Sequence, residues 1–100
     1  MVMKEDVSVA SAALVRISGR VQGVGFRYFV YRYAKKNELT GWVRNNEDGS
    51  VEARFEGPKN KVDVIVELCH KGPVGSSVKK VEVEEREPEG KYQDFKFRYQ

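Results

Sequence analysis

The chain has 100 residues, of which 40% are hydrophobic and 33% charged; this is typical of one folded domain and excludes a disordered chain. A single cysteine (Cys69) excludes an intramolecular disulfide, and with one histidine (His70) it cannot by itself form a zinc site. The N-terminus lacks a signal-peptide pattern, and no run approaches the about 18 apolar residues of a membrane span. We therefore expect a cytoplasmic protein without a membrane partner.

Positive charge is concentrated in the first half of the chain. The net charge is +3, and residues 1–45 carry eight Lys or Arg against three Asp or Glu, whereas residues 46–100 carry ten against twelve. An anionic partner is therefore expected to bind the first half. A drift of surface charge along the chain would give the same imbalance, so charge alone does not decide.

The N-terminal half predicts one strand and one helix. Residues 1–11 are small and polar, and we expect a flexible lead-in before a domain that spans residues 12–100. Alternating apolar residues over positions 12–18 predict a strand that ends at Gly19, followed by a glycine-containing loop over residues 20–25. Apolar side chains at helical spacing then predict a helix: Phe26, Phe29, Val30, Tyr33 and Ala34.

The remaining elements predict the fold class. Residues 41–45 and 50–55 flank an Asp-Gly turn, which is a hairpin signal, and residues 62–69 have a second helical stripe between two Gly-Pro pairs. Valines at 78, 81 and 83 predict a fourth strand whose break in parity indicates a bulge or a late start, and residues 95–99 predict a short closing strand. The order predicts an α+β, ferredoxin-like split βαβ (βαββαβ) sandwich, with one antiparallel sheet and two helices on one face.

Residues that usually carry catalysis are scarce in this chain. His70 is expected at the surface, and Cys69 falls on an apolar stripe as a small core residue. The acidic residues of the fourth strand and the following turn are expected on a solvated face: Glu82, Glu84, Glu85, Glu87 and Glu89. No spacing of metal ligands is present in the sequence.

The glycine loop at residues 19–25 offers a different chemistry. Glycines allow positive φ, so the backbone N–H groups of a strand-to-helix turn can surround an anion, and the helix N-terminus adds about half a positive charge. Phosphate is the natural ligand of such a site. Arg27 opposes the helix dipole, yet its planar guanidinium can bind two phosphate oxygens. A tight turn followed by a solvated arginine is the alternative, and the loop alone does not exclude it.

Two stretches resemble the two sequence patterns of the acylphosphatase family. The first is residues 19–27, Gly-Arg-Val-Gln-Gly-Val-Gly-Phe-Arg. The second is residues 41–45, Gly-Trp-Val-Arg-Asn, followed by Gly-Ser-Val at residues 49–51 and by Gly57. The resemblance extends from Leu14 to Gln100, and the two patterns stand in the order and at the separation that the family has.

The resemblance implies hydrolysis of acyl phosphates to a carboxylate and inorganic phosphate, without a metal or organic cofactor. It implies that Arg27 binds the phosphate and that Asn45 orients the attacking water. The loop amides that would cradle the phosphate belong to Gln22, Gly23, Val24, Gly25 and Phe26. Because no protein general base is evident, we hypothesise that a phosphoryl oxygen accepts the proton of the water. Asn46-Glu47 departs from the family's common apolar-Pro sequence, which could change how rigidly Asn45 is held.

Three other functions fit parts of the sequence. Five Tyr, five Phe and a pI near 9.0 suit an RNA-binding module that stacks bases on strand aromatics, although Phe55, Phe95 and Phe97 alternate as core residues. A domain like the N-terminal part of hydrogenase-maturation carbamoyltransferases, or a non-catalytic regulatory domain, is also open. A chain that ends at Gln100 and keeps both Arg27 and Asn45 favours a free-standing enzyme. We expect a monomer that acts on a small-molecule acyl phosphate, with inorganic phosphate as product and no nucleic-acid partner.

Overall fold

The computed structural model describes residues 9–99 and, within them, two helices and five strands. Their bounds in chain order are β1 (Ala10–Arg20), α1 (Phe26–Lys36), β2 (Thr40–Asn45), β3 (Val51–Pro58), α2 (Lys59–Lys71), β4 (Ser77–Arg86) and β5 (Phe95–Phe97). The predicted α+β order is confirmed. The lead-in predicted for residues 1–11 is too long, because Ala10 and Ser11 pair with β3; its residues 1–8 lie outside the described part.

The strands form one sheet in the order β4-β1-β3-β2-β5. β3 is antiparallel to both β1 and β2, so β1 and β2 run in the same direction with β3 between them, as in a split βαβ unit. β5 pairs in parallel with β2. The sheet is therefore mixed, and the prediction of an entirely antiparallel sheet was wrong in this one strand. The reason is that residues 87–94 carry the chain from the β4 edge to the β2 edge and reverse its direction.

Both helices pack on one face of the sheet. Phe26, Val30 and Ala34 of α1 recur every four residues, and α2 contributes Val62, Ile65 and Cys69. They join one core with alternate strand residues: Ala13, Val15, Ile17, Val43, Val51, Ala53, Phe55 and Phe95. The helical and strand periods therefore place their apolar residues in a single layer. No helix in residues 9–99 is long and apolar enough to cross a membrane.

β4 contains the bulge that its valine spacing indicated. Ser18 pairs with Lys80 and Gly19 pairs with Val78, so Lys79 is left without a partner on β1. Gly19 has φ +124°, and a Cβ at this position would lie 2.3 Å from the carbonyl oxygen of Ser77. Glycine at position 19 therefore lets the strands stay close across the bulge.

On the other face of the sheet, a buried ion pair holds residues 87–94, here called the crossing segment. Arg54 and Glu56 are 6% and 5% exposed, and their charged groups lie 2.8 Å apart. Arg54 donates a hydrogen bond to the Glu87 carbonyl, and the N–H groups of Glu89 and Gly90 donate to the Glu56 carboxylate. Burial alone would raise the pKa of Glu56, but these hydrogen bonds and the Arg54 charge hold that pKa below its usual value.

We expect Glu56→Gln to lower the free energy of unfolding by about 3 kcal/mol, because it leaves Arg54 buried without a counter-charge. Glu84→Gln removes one partner of an exposed pair with Arg86 and should lower the free energy by less than about 1 kcal/mol. Urea denaturation of both variants measures the difference, and equal losses would contradict the role given to the buried pair.

The same pair gives a pH dependence of known sign. Because the folded-state pKa of Glu56 is depressed, its contribution is present above the unfolded pKa and is lost as the pH falls through the folded pKa. The difference in stability between wild type and Glu56→Gln should therefore shrink as the pH falls below 4.5. A difference that grows on acidification would show that the charge of Glu56 is not stabilising.

Candidate active site

A cleft of about 310 Å³ lies where the loop before α1 meets the ends of β2 and β5. Its lining residues are Val21, Gln22, Gly23, Gly25, Phe26, Arg27, Tyr28, Asn45, Phe97 and Tyr99. The structure thus brings together all the site residues expected from the sequence except Val24. The Val24 side chain packs against the core instead.

The loop backbone is shaped by two glycines. Gly23 and Gly25 have φ of +76° and +80°, and a Cβ at either position would meet no atom within 4 Å. Glycine is therefore favoured for its backbone conformation rather than for lack of space. Within residues 9–99, no side chain caps α1, and the N–H groups of residues 23–26 precede the first hydrogen bond of the helix, which Phe29 donates to the Gly25 carbonyl. These donors at a helix N-terminus can bind an anion.

Arg27 is the one charged side chain among the described residues that line the cleft. Within that part of the chain it forms no ion pair, and its guanidinium carbon lies 5.6 Å from the centroid of the Tyr99 ring. The first turn of α1 holds no acidic residue. A cation at a helix N-terminus opposes the helix dipole, so helix stability does not explain Arg27. The cleft carries an unbalanced positive charge that suits an anionic ligand.

Asn45 is the last residue of β2 and is exposed at the cleft. Its side-chain amide has no hydrogen-bond partner among residues 9–99, so both its acceptor and its donors are available. The turn after it is held by polar bonds: Asn46 donates from its backbone and its side chain to Ser50, and Ser50 donates to the Asp48 carboxylate. The Asn46 that departs from the common family sequence is therefore part of the network next to Asn45.

Gln22 joins the loop to this hairpin through its side chain. Its Nε2 donates to the carbonyl oxygens of Asn46 and Ser50, at 2.8 and 2.9 Å. Both side-chain amide hydrogens are thus used within the fold, so the Gln22 side chain has no donor left for a ligand. Sequence reasoning missed this contact because the acceptors are backbone oxygens 24 and 28 residues away, and no residue pattern reports them.

Three aromatic residues of the cleft were not assigned to the site from the sequence. Tyr28 and Tyr99 are 59% and 75% exposed, and Phe97 packs partly against the core. For Phe97 and Tyr99, the only signal in the sequence was their alternation with polar residues on the last predicted strand. For Tyr28, it was a position outside the apolar stripe of the predicted helix. They give the cleft an apolar wall beside the positive charge of Arg27.

No carboxylate, histidine or cysteine lines the cleft among the described residues. Cys69 lies in the core, where burial raises the pKa of its thiol to about 12, and His70 is exposed on α2, as expected. No three His, Cys, Asp or Glu side chains of residues 9–99 are grouped so that they could hold a metal ion. The cleft can therefore bind an anion and orient a water, but it offers no side chain of the usual acid–base or nucleophilic types.

The sequence model of the acylphosphatase family matches residues 13–97. The chain belongs to the acylphosphatase family. An acylphosphatase of Syntrophotalea carbinolica is 47% identical over 85 residues, which cover 85% of this chain and 92% of that protein. The crystal structure of acylphosphatase from Bacillus subtilis has a TM-score of 0.86 at 40% identity, covering 89% of this chain and 99% of that one.

A part of a much larger protein is also similar. The crystal structure of full-length HypF in its phosphate- and nucleotide-bound form matches 94% of this chain but only 12% of its own length, with a TM-score of 0.83 at 33% identity. The family confirms that the protein is a hydrolase of acyl phosphates and that its fold is ferredoxin-like. The resemblance noted in the sequence is thus confirmed.

We expect Gln22→Met to slow the hydrolysis of an acyl phosphate at least tenfold, because a loop detached from the hairpin no longer fixes Arg27 relative to Asn45. It should also lower the free energy of unfolding by about 1 kcal/mol for each lost hydrogen bond. Asn37→Leu is the matched control, since it removes an amide-to-carbonyl bond at the other end of α1. Steady-state kinetics and urea denaturation measure both effects, and equal activity of the two variants would contradict a positioning role for Gln22.

Proposed function

We propose that Arg27 and the loop amides of residues 22–26 bind the phosphoryl group of an acyl phosphate, and that Asn45 orients the water that attacks it. The observation that carries this proposal is that one cleft holds Arg27, which forms no ion pair within the described residues, the N–H groups at the start of α1 and an Asn45 amide without a hydrogen bond. Together these groups match what a phosphoryl group and a water need.

Phosphate binding follows from the charge and shape of the donors. The guanidinium of Arg27 can donate two parallel hydrogen bonds to two phosphoryl oxygens. The loop N–H groups and the N-terminus of α1 add donors that are already fixed by the backbone. In the transition state, charge spreads over the equatorial oxygens of the phosphoryl group, and these donors stabilise that charge.

The second half of the proposal concerns the water. The oxygen of Asn45 can accept a hydrogen bond from the water while its nitrogen donates to a phosphoryl oxygen, which places the water near phosphorus. The water oxygen attacks phosphorus, the bond from phosphorus to the acyl oxygen breaks, and the carboxylate leaves with the electron pair. A phosphoryl oxygen takes the proton of the water, since no carboxylate or histidine of residues 9–99 lines the cleft. A carboxylate is a good leaving group, so no strong acid is required.

The structure gives evidence against the RNA-binding alternative but does not test the predicted location or partners. Phe55 and Phe95 are buried beneath the helices, so they cannot stack RNA bases, and this weakens the nucleic-acid alternative. A cytoplasmic location, a monomeric state and the absence of nucleic-acid and membrane partners stay predictions. The small-molecule acyl phosphate itself is not identified by the cleft.

We expect Arg27→Ala to lower kcat/KM for benzoyl phosphate at least about a hundredfold, because it removes the charged donor of the cleft. Arg27→Lys should restore little activity, since an ammonium lacks the two-pronged geometry. Arg32→Ala is the matched control, because it removes a cation from the same helix outside the cleft. The assay is phosphate release with EDTA present, and near wild-type activity of Arg27→Ala would refute the proposal.

For Asn45→Ala we expect a fall in kcat that is larger than any weakening of competitive inhibition by phosphate. The reason is that Asn45 acts on the water, which is bound productively only on the way to the transition state. Steady-state kinetics with phosphate as inhibitor measures both quantities. If the variant raised KM and the phosphate inhibition constant together while kcat stayed unchanged, Asn45 would bind substrate rather than place water.

A further inference from the structure

A second cavity, of about 780 Å³, lies between the crossing segment and the strands β2 and β5. Its lining residues are Gly41, Trp42, Lys91, Tyr92, Gln93, Asp94, Lys96, Phe97 and Arg98. Trp42 and Lys96 are paired across β2 and β5, on the opposite face of the sheet from Val43 and the helices. Phe97 is the one residue that this cavity shares with the catalytic cleft.

The cavity wall has a net positive charge, because Lys91, Lys96 and Arg98 stand against one carboxylate. Its single carboxylate, Asp94, lies 2.6 Å from Lys35 and also accepts a hydrogen bond from the Phe95 N–H. Lys91 pairs with Glu89. Lys96 is close enough to Asp94 for its charge to help lower the pKa of that carboxyl, but neither Lys96 nor Arg98 forms a direct ion pair within residues 9–99.

The Trp42 indole adds an unused donor. Trp42 is only 9% exposed, and its Nε1 is the single buried side-chain nitrogen or oxygen of the described residues without a hydrogen-bond partner. Such a group is destabilising and calls for an explanation. The guanidinium carbons of Arg98 and Arg44 lie 4.6 and 5.1 Å from the ring centroid. They stack on the ring, but arginine has only donors and cannot accept the indole hydrogen.

We propose that this cavity binds a small organic molecule through an oxyanion, either a carboxylate or a phosphate. Its oxygens accept the hydrogen bond of Trp42 Nε1 and pair with Lys96 and Arg98, and a flat apolar part lies against Tyr92. The cavity offers hydrogen-bond donors from Trp42, Lys96 and Arg98, and an oxyanion offers only acceptors, so the two are complementary. Because Nε1 is itself buried, a side chain over the indole has to move when the ligand binds, and the exposed Arg98 that stacks on the ring can do so.

The test uses the fact that Trp42 is the only tryptophan of the chain. Its fluorescence is titrated with sodium benzoate and with sodium phosphate, at constant ionic strength, in the Arg27→Ala background that disables the catalytic cleft. We expect a saturable change with at least one of the two anions. Adding Lys96→Gln and Arg98→Gln to that background should raise the Kd at least about tenfold. Lys79→Gln with Lys80→Gln, which removes two charges from β4 at the other edge of the sheet, should leave the Kd unchanged.

Saturation by benzoate alone would identify a site for carboxylates with a flat ring, and saturation by phosphate alone a site for phosphates; either result supports the proposal. Lys96→Gln alone keeps Arg98 on the indole and should raise the Kd severalfold, so the test does not depend on the folding of the double variant. The proposal is overturned if neither anion gives a saturable change, or if the Kd is the same after Lys96 and Arg98 lose their charges.

Discussion

The two hydrogen bonds from the Gln22 side chain join the two sides of the proposed catalytic cleft. The loop before α1 carries Arg27 and the amide donors, whereas Asn45 lies at the end of a strand that is separated from this loop in sequence. Gln22 fixes the distance between the two through backbone oxygens of the hairpin. Without this link, the loop would be positioned by its connection to β1, which shares the β3 partner Val51 with Asn45, and by the packing of α1 on the sheet. Catalysis that relies on placement rather than on a reactive side chain depends strongly on such a link.

Among the described residues, the buried charged side chains of the sheet form ion pairs, whereas the charged side chain of the cleft does not. On the face of the sheet opposite the helices, the buried Arg54 and Glu56 form an ion pair with each other and hydrogen bonds with the backbone of the crossing segment. In the cleft, Arg27 at the start of α1 has no acidic partner among the described residues and opposes the helix dipole. Under the proposed function, a cation that is unfavourable for the isolated protein becomes favourable when a phosphoryl group occupies the cleft. The stability of the fold therefore has to come from other contacts, chiefly the single core beneath the two helices.

The sequence predicts the elements of this fold well because each has a local signal. The helical stripe of α1, the Asp-Gly hairpin and the broken valine spacing of β4 all correspond to observed features. The parallel pairing of β5 could not be predicted from the sequence. Its direction depends on the path of the crossing segment from the β4 edge of the sheet to the β2 edge, and this path has no local signal. Anion binding by the glycine loop and Arg27 could be suspected from glycines and charge, but Asn45 is an ordinary strand residue that only the family resemblance singled out. The contacts of Gln22 and Trp42 depend on groups distant in the chain and leave no pattern in the sequence.

The most direct test of the proposed chemistry follows the oxygen of the attacking water. Benzoyl phosphate is hydrolysed by the enzyme in water enriched in heavy oxygen, and the products are analysed by mass spectrometry after correction for spontaneous hydrolysis. If Arg27 and the loop hold the phosphoryl group and Asn45 directs water to phosphorus, the heavy oxygen appears in phosphate and the benzoate stays unlabelled. Heavy oxygen in benzoate would show that the water attacks the acyl carbon, and the roles proposed for Arg27 and Asn45 would be wrong.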